Sequence, residues 1–499
     1  MSSVNQPVNM NAPLGPNGTI ARRSWAWLAL VFIVLGAIAW VLSSEVRYDN
    51  WAAHGVWCVF GLMAAFPTIM RALRGNFSMI LTDHRLMFVG SFSLYFLFGA
   101  MLPWIGPQAQ IDQALGFYPI DARDALRADA VNGLGFGLAL LATSVSSGRW
   151  IEARAALIAE KTAWVTAYRA ILLFLIVGTL ASGYVLLYDL GYREGLVQGV
   201  IRSSGKLSIA AILLAAAHSG RGEFVLRSFA VVLAVALAFG GIVQFNKTET
   251  LLPLAALAGG LGWRYGTRLI MPIALVLLVT TYFFMGNIAS YGRSAVYDRA
   301  VGLEERWQIV QQGWRETRNL SDEEEYGTWA RLCYVGVQVA AMDFYDTGQG
   351  GDGLSLFGWV FVPRLLFPEK PEITRSSREL NVKITSYDTS SVAPGIFASG
   401  YYNGGWTGFV FASLLCGWIL TQTSGVARGA STHRALVMLP FSLLGVYMAL
   451  RIDGDFVADY VGSFVLILYP ILFGALILAA AGRTRFGRKV LQHRGRPFQ

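Results

Sequence analysis

Leu269–Gly286 reads LIMPIALVLLVTTYFFMG, eighteen residues without a charge, long enough to cross a bilayer as a helix. Immediately after it the chain changes character. From about Gly292 to Asn403 it is polar and basic, with Arg293, Arg299, Arg306, Arg315, Arg331, Arg364, Arg375 and Arg378, plus Lys370 and Lys383. At Gly404–Thr421 it becomes apolar again. One long basic interruption between two membrane segments is the feature around which the rest of the chain is arranged.

Composition agrees with that class. Of 499 residues 55% are hydrophobic and 14% charged, with a mean hydropathy of +0.48, whereas a soluble protein carries roughly a quarter charged residues. Continuously apolar windows, rather than alternating ones, predict an all-α polytopic membrane protein and exclude a β-barrel. Spans are expected at 24–43, 51–70, 86–105, 128–147, 164–187, 198–217, 228–245, 250–264, 269–288, 404–421, 435–451 and 460–481, about twelve in all. Residues 1–23 form a disordered cytoplasmic N-terminus, 24–288 the first nine spans, 289–403 the loop, 404–481 three more spans and 482–499 a basic tail. Arg22 and Arg23 before Ser24–Leu42 resemble a signal peptide. The apolar stretch is too long for one and lacks a following small-residue cleavage site, so it is assigned as a retained first span.

The net charge of +9 does not call for nucleic acid. Arg71, Arg74 and Arg85, then Arg149, Arg154 and Lys161, then Arg221 and Arg227, Arg264 and Arg268, and Arg428 and Arg434 fall in alternate loops, and the basic tail continues the set. The opposite loops hold Glu45, Asp49, Asp112, Asp121, Asp124, Asp189, Glu194, Asp453, Asp455 and Asp459. Positive residues mark the cytoplasmic side, which places both termini inside and the long loop outside. Few charges fall within spans and no inverted repeat is visible, which argues against an ion-coupled carrier. Cys58 and Cys416 fall within spans and Cys333 stands alone in the loop, so no disulfide is expected. No His or Cys pair at ligand spacing predicts a metal centre.

Within the loop, Val296, Ala300, Leu303, Trp307, Val310 and Trp314 form one apolar helical stripe, fit for the membrane interface or for packing on the bundle. Ser321 with Glu324 reads as a capping box opening a second helix, so Asp322–Glu325 is a helix start rather than a metal site. Arg331, Tyr334 and Gln338 then fall near one face. Gly348–Gly353 breaks the chain, and Leu354–Phe367 is apolar but too short to span, a re-entrant or interfacial segment. The proline-stiffened Val362–Pro371 presents Arg364 and Lys370, and Ser399–Trp406 leads back into the membrane.

The string Pro363-Arg364-Leu365-Leu366-Phe367-Pro368-Glu369-Lys370-Pro371, followed by a polar stretch and by Tyr401-Tyr402-Asn403-Gly404 opening a span, resembles the Wzy-type O-antigen polymerases, GT-C-like membrane glycosyltransferases. Many members carry an acidic residue near the position of Ser399. The resemblance implies a bacterial inner-membrane enzyme that polymerises undecaprenyl-pyrophosphate-linked oligosaccharide repeat units on the periplasmic face. It needs no cofactor, and its partners are membrane lipids, a chain-length-regulating co-polymerase and a flippase. Transfer by an O-antigen ligase-type enzyme, and a lipid-linked oligosaccharide flippase, are the alternatives. The ligases place a His in the large loop, and none lies between Gly292 and Asn403.

The chemistry then assigns candidate roles. A departing pyrophosphate gathers negative charge, and the planar guanidinium fork matches phosphate oxygens. Arg364 and Arg331 lead as catalytic cations, with Arg293, Lys370, Arg375 and Arg378 as substrate contacts. Asp343 or Asp388 is the expected general base. Tyr387, Tyr401, Tyr402, Asn403 and Trp406 are candidate glycan contacts, although aromatic residues at such positions also serve as interfacial belts.

Overall fold

A backbone in contact with lipid must satisfy its own N–H and C=O groups, so apolar runs of this length become helices. A computed structural model of the chain describes residues 22–74, 82–145, 151–153, 167–189, 198–218, 222–265, 267–296, 301–317, 329–364, 366–387, 391–432, 439–466, 468, 469, 472 and 476. All regular elements among them are helical. In chain order they are α1 (Arg22–Glu45), α2 (Trp51–Arg74), α3 (His84–Ile105), α4 (Gln108–Leu115), α5 (Ala122–Val145), α6 (Ala167–Asp189), α7 (Gln198–Ala217) and α8 (Glu223–Val243). There follow α9 (Lys247–Tyr265), α10 (Thr267–Ala295), α11 (Leu303–Thr317), α12 (Val335–Asp346), α13 (Arg375–Thr385), α14 (Ile396–Thr432), α15 (Leu439–Leu450) and α16 (Phe456–Leu466). Seven of these, α1, α2, α3, α5, α6, α8 and α14, are long and apolar enough to cross a membrane, and α7, α10 and α16 contain shorter apolar stretches. The protein is an all-α membrane protein.

Two packed groups share the chain. In the first, α1, α2, α3, α5, α12, α14, α15 and α16 surround one core built on Phe32, Phe88, Phe92, Phe136 and Phe409. Phe136 stacks on Phe92 with ring centres 3.9 Å apart. Small residues set the closest approach: a Cβ on Gly36 of α1 would lie 2.7 Å from the Leu134 amide of α5. Without a hydrophobic drive between helices in lipid, such contact is where dispersion energy is gained. In the second group α6 to α9 pack around Ile171, Phe174 and Leu207–Ala217, and α10 and α11 join α8 and α9.

Charges inside the apolar helices meet partners. His54 of α2 and Asp129 of α5 lie 2.6 Å apart, both fully buried, and the other His54 nitrogen is 2.6 Å from the Ala100 carbonyl of α3. That part of α3 departs from regular α geometry, widening over Ser93–Phe98 and tightening over Gly99–Met101. Pro103, three residues on from Ala100, has no N–H to offer. Lys206 of α7 pairs with Glu249 of α9.

The loop differs from its sequence reading at both ends. Helix α10 continues through Ala295, which makes Arg293 part of its last turn; the side chain of Arg293 lies outside the described residues. Helix α14 begins at Ile396, not at Gly404, so Tyr401, Tyr402 and Asn403 are helical and buried. The break is at Gly404–Gly405, where Gly405 takes φ +56° and ψ −145°, a conformation that glycine permits, and a Cβ there would overlap the Tyr345 hydroxyl. Of the apolar stripe on α11, Val310 is buried along with its neighbour Ile309, whereas Leu303, Trp307 and Trp314 are exposed, Trp307 meeting Phe239 and Trp314 meeting Phe284. Residues 318–328, with the Ser321 capping box, and Asp388 lie outside the described residues.

Candidate active site between the two helix groups

The loop segment that follows residue 328 enters as a tight turn, Ala330–Leu332, and then becomes α12. Along that run Arg331, Tyr334 and Gln338 go to three different places. Gln338 exchanges two 3.0 Å hydrogen bonds with Asn132 of α5, an amide pair that anchors α12 in the first core. Arg331 donates to the Gly286 carbonyl of α10 at 2.8 Å. Tyr334 donates to Asp453, between α15 and α16, at 3.2 Å.

The last two contacts bring a set of charged and phenolic groups together where the helix groups meet. Lys247, at the start of α9, lies 4.6 Å from the Tyr282 ring, one turn before Gly286. Tyr95 of α3 stands edge-on to Tyr334 with ring centres 5.7 Å apart. Arg451 reaches Asp459 at 3.5 Å and lies 5.7 Å from the Tyr447 ring. Arg451 faces Asp453, Asp459, Tyr447 and Tyr95, while Arg331 and Lys247 flank Tyr282, which itself neighbours Asp453, so cations from three distant parts of the sequence border one group of acids and tyrosines. Two atoms in this set are buried without a hydrogen-bond partner among the described residues, Asp453 Oδ1 and Arg451 Nε. Burial pushes the Asp453 carboxyl above its ordinary range, although Arg451 and the Tyr334 hydroxyl pull the other way. Burial likewise drives the Tyr334 phenol well up. A buried acid with a raised proton affinity beside fixed cations is a candidate for proton exchange.

A second polar group closes the far end of α12. Asp343 accepts from Arg127 of α5 at 3.1 Å and from Tyr118 at 3.3 Å, and Asp346 pairs with Arg127 and accepts from Tyr401 at 2.9 Å. Burial raises the Asp343 carboxyl, against the pull of Arg127. Both Asp343 oxygens are engaged, whereas Asp453 keeps one buried oxygen without a hydrogen-bond partner among the described residues. Beside Asp346 lies a hollow of about 590 Å³ bordered by Trp40, Ser44, Arg127, Tyr401 and Trp406.

The remaining sequence candidates are dispersed. Arg364 is exposed and approaches the Pro371 carbonyl at 3.5 Å; Lys370 donates to the Val362 carbonyl at 2.9 Å within the same turn. Burial, reinforced by the nearby Arg364 charge, lowers the Lys370 ammonium. Arg375 pairs with Glu379 and Arg378 with Glu372 on the outside of α13. Such exposed pairs contribute little. Arg375→Gln and Arg378→Gln are therefore expected to leave the folding stability within about 0.5 kcal/mol of wild type, measured by thermal unfolding. Tyr387 is exposed. Tyr402 is buried, and its hydroxyl accepts from Lys383 at 3.0 Å. Asn403 accepts from the Gly353 amide at 2.7 Å and from Ser376 at 2.6 Å, and donates to the Ser399 carbonyl at 2.8 Å. Its amide holds loop, α13 and α14 together. Arg306 caps a helix end, donating to the carbonyls of Val301 and Val243.

Arg451, Asp453 and Lys247 were missed as site residues, because the carboxylates beyond α15 signal only sidedness and Lys247 is isolated in sequence. Arg127 was hidden among the acids that precede its span. Its spacing from Arg123, one helical turn, was the available signal. An acid does stand next to Ser399, supplied from elsewhere: Asp455 accepts from the Ser399 hydroxyl at 2.7 Å while capping the first turn of α16.

The sequence also offered no metal ligands at useful spacing, whereas His54, Cys58 and Asp129 bring three donor atoms within 4.8 Å of one another. His54 and Cys58 are one helical turn apart on α2, and α5 supplies the carboxylate. Both His54 nitrogens are already engaged, whereas Asp129 Oδ1 is buried without a hydrogen-bond partner among the described residues. The buried thiols of Cys58, Cys333 and Cys416 are all free. No protein-family model, no curated protein and no solved structure matches the chain.

Proposed function

We propose that the protein is a membrane glycosyltransferase of the repeat-unit polymerase class, acting on polyprenyl-pyrophosphate-linked oligosaccharides at the periplasmic face of a bacterial inner membrane. In this reading about twelve spans carry the chain across the bilayer, both termini are cytoplasmic, and the loop between α10 and α14 faces the periplasm. The observation that carries it is the cluster in which Arg451 and Tyr334 meet Asp453 while Arg331 and Lys247 flank the neighbouring Tyr282.

The reaction asks for what that cluster offers. An acceptor sugar hydroxyl attacks the anomeric carbon of the donor; the bond from that carbon to the pyrophosphate oxygen breaks, and the pyrophosphate leaves with the electron pair. Fixed cations stabilise the charge that gathers on the leaving oxygens, and they do so most strongly where water is scarce. Arg331 and Arg451 offer forked donors and Lys247 a compact charge. Asp453 takes the hydroxyl proton through Oδ1. Arg364, exposed on the proline-bounded turn it shares with the part-buried Lys370, suits contacts with lipid headgroups or with the incoming substrate.

The test is incubation of purified protein with synthetic lipid-pyrophosphate repeat units. A ladder of longer lipid-linked glycans is expected. A single transfer onto another acceptor points to a ligase, and the absence of transfer removes the enzymatic reading. Asp453 adds a pH signature. A base works only when deprotonated, so the rate falls as pH drops through its folded value, which burial places above the ordinary carboxylate range. Asp453→Asn is expected to lower the rate about 10²-fold and to abolish that acid limb. An unchanged limb in the variant would assign the proton transfer to another group.

A further inference from the structure

We propose that the hollow between α1, α5, α12 and α14 binds a saccharide carried on a lipid. Its walls combine two chemistries that a sugar ring needs. Trp406 stands edge-on to both Trp40 and Tyr401, with ring centres 5.1 and 5.4 Å away, so three aromatic rings pack into one continuous border of the open hollow. The electron-rich faces of such rings suit the polarised C–H face of a sugar. On the polar side Arg127 and Asp346 form an ion pair, and Asp346 also takes the Tyr401 hydroxyl. Ser44 adds a hydroxyl whose proton is bound to the Val41 carbonyl at 2.7 Å, leaving its oxygen as an acceptor. A volume of about 590 Å³ falls within the range of small-molecule sites, about 300–1,000 Å³.

The surroundings specify the tail. Trp40, 38% exposed, and Val41, 62% exposed, lie on the apolar surface of α1, which is long and apolar enough to cross a membrane. A sugar seated in the hollow therefore has lipid directly beside it. The backbone is shaped for this placement as well. The break at Gly404–Gly405 releases Trp406 from the register of the first turns of α14, and the close approach of Tyr345 to Gly405 fixes the bend. A tryptophan serving only as an interfacial anchor requires neither a concave surface nor an ion pair beside it.

The identity of the saccharide as part of a growing glycan rests on the glycosyltransferase reading, whereas the hollow itself does not. Helix α12 separates the two places: its twelve residues, Val335–Asp346, span roughly 17 Å from the Tyr334 end to the Asp346 end. The hollow then holds a sugar some residues away from the departing pyrophosphate.

The test uses the full chain in nanodiscs, titrated with octyl glucoside and decyl maltoside below their micellar concentrations and followed by saturation-transfer NMR. Octyl phosphocholine, with a similar tail and no sugar, is the control. Saturable binding of an alkyl glycoside is expected, weakened at least about tenfold by Trp406→Leu and by Ser44→Trp, which fills the space from an exposed position. Binding of the phosphocholine is expected to be unchanged. Equal affinity of wild type and both variants for the glycosides, or no saturable glycoside binding to wild type, overturns the proposal. Elongation measured on the same preparations separates the two ideas. A ladder that persists alongside Trp406-independent binding rejects the hollow and keeps the polymerase. Trp406-dependent binding without any ladder rejects the polymerase and keeps the hollow.

Discussion

Arg331→Lys is expected to lower the rate of glycan elongation by about 10²–10³-fold, the range seen when one preorganised donor is removed from a developing negative charge. Charge is preserved in this variant, so the loss reports the forked geometry and not electrostatics alone. Arg331 now anchors on the Gly286 carbonyl. A lysine amine reaches that carbonyl as a single donor and cannot at the same time direct a second N–H toward a phosphate oxygen along a fixed plane. Arg451→Lys should fall in the same range, since Arg451 shares with Asp453 the turn that follows α15 and acts directly on its carboxyl. Kinetics on synthetic substrate measure both. A common loss in kcat with KM little changed is the signature of stabilisation confined to the transition state. Retention of more than about a third of the wild-type rate by both variants would remove this cluster from the reaction.

His54→Leu should destabilise the folded protein by about 3–5 kcal/mol, the usual consequence of removing one partner from a buried charge pair. The hydrogen-bond inventory makes the expectation specific. His54 faces two oxygens, Asp129 Oδ2 and the Ala100 carbonyl, each at 2.6 Å. A carbonyl only accepts, so Nε2 carries a proton. The remaining proton is shared between Nδ1 and the carboxylate, as an imidazolium beside a carboxylate or as a neutral pair. Leucine leaves Asp129 with no partner at either oxygen and opens the joint of α2, α3 and α5. Asp129→Asn behaves differently, because its amide can donate to Nδ1 while Nε2–H still meets Ala100. Thermal unfolding in detergent should therefore show a large drop in Tm for His54→Leu and a small one for Asp129→Asn. Equal drops would mean that the ionic form of the pair dominates its contribution.

Class and helix order were legible in the sequence because they depend on local quantities. Uninterrupted apolar length dictates a membrane helix whatever its neighbours are. The apolar helices from Arg22 to Ala217 accordingly lie close to their expected positions. Helix ends were less legible. Tyr401, Tyr402 and Asn403 look polar enough to be loop, yet they are helical and buried because Lys383, Ser376 and Gly353 reach them from the loop and satisfy their polar atoms. The site was legible in part. Of the residues named from the sequence Arg331 alone belongs to the cluster around Tyr282, Tyr334 and Asp453, whereas Asp343, Tyr387, Tyr401 and Tyr402 lie elsewhere. Arg364, Arg375 and Arg378 were weighted by residue type, but charge alone does not say whether a guanidinium faces solvent, a neighbouring glutamate or a shared cleft.

Only tertiary structure decides which distant segments share a place. Nothing local links Lys247, Arg331 and the Arg451–Asp453 turn, or Trp40, Arg127, Asp346 and Trp406. The bundle joins them because helix packing fixes positions to within a few ångströms, while sequence separation leaves those distances open. Apolar length by itself made this chain a membrane protein; the crossing of its helices determined which of its charges meet.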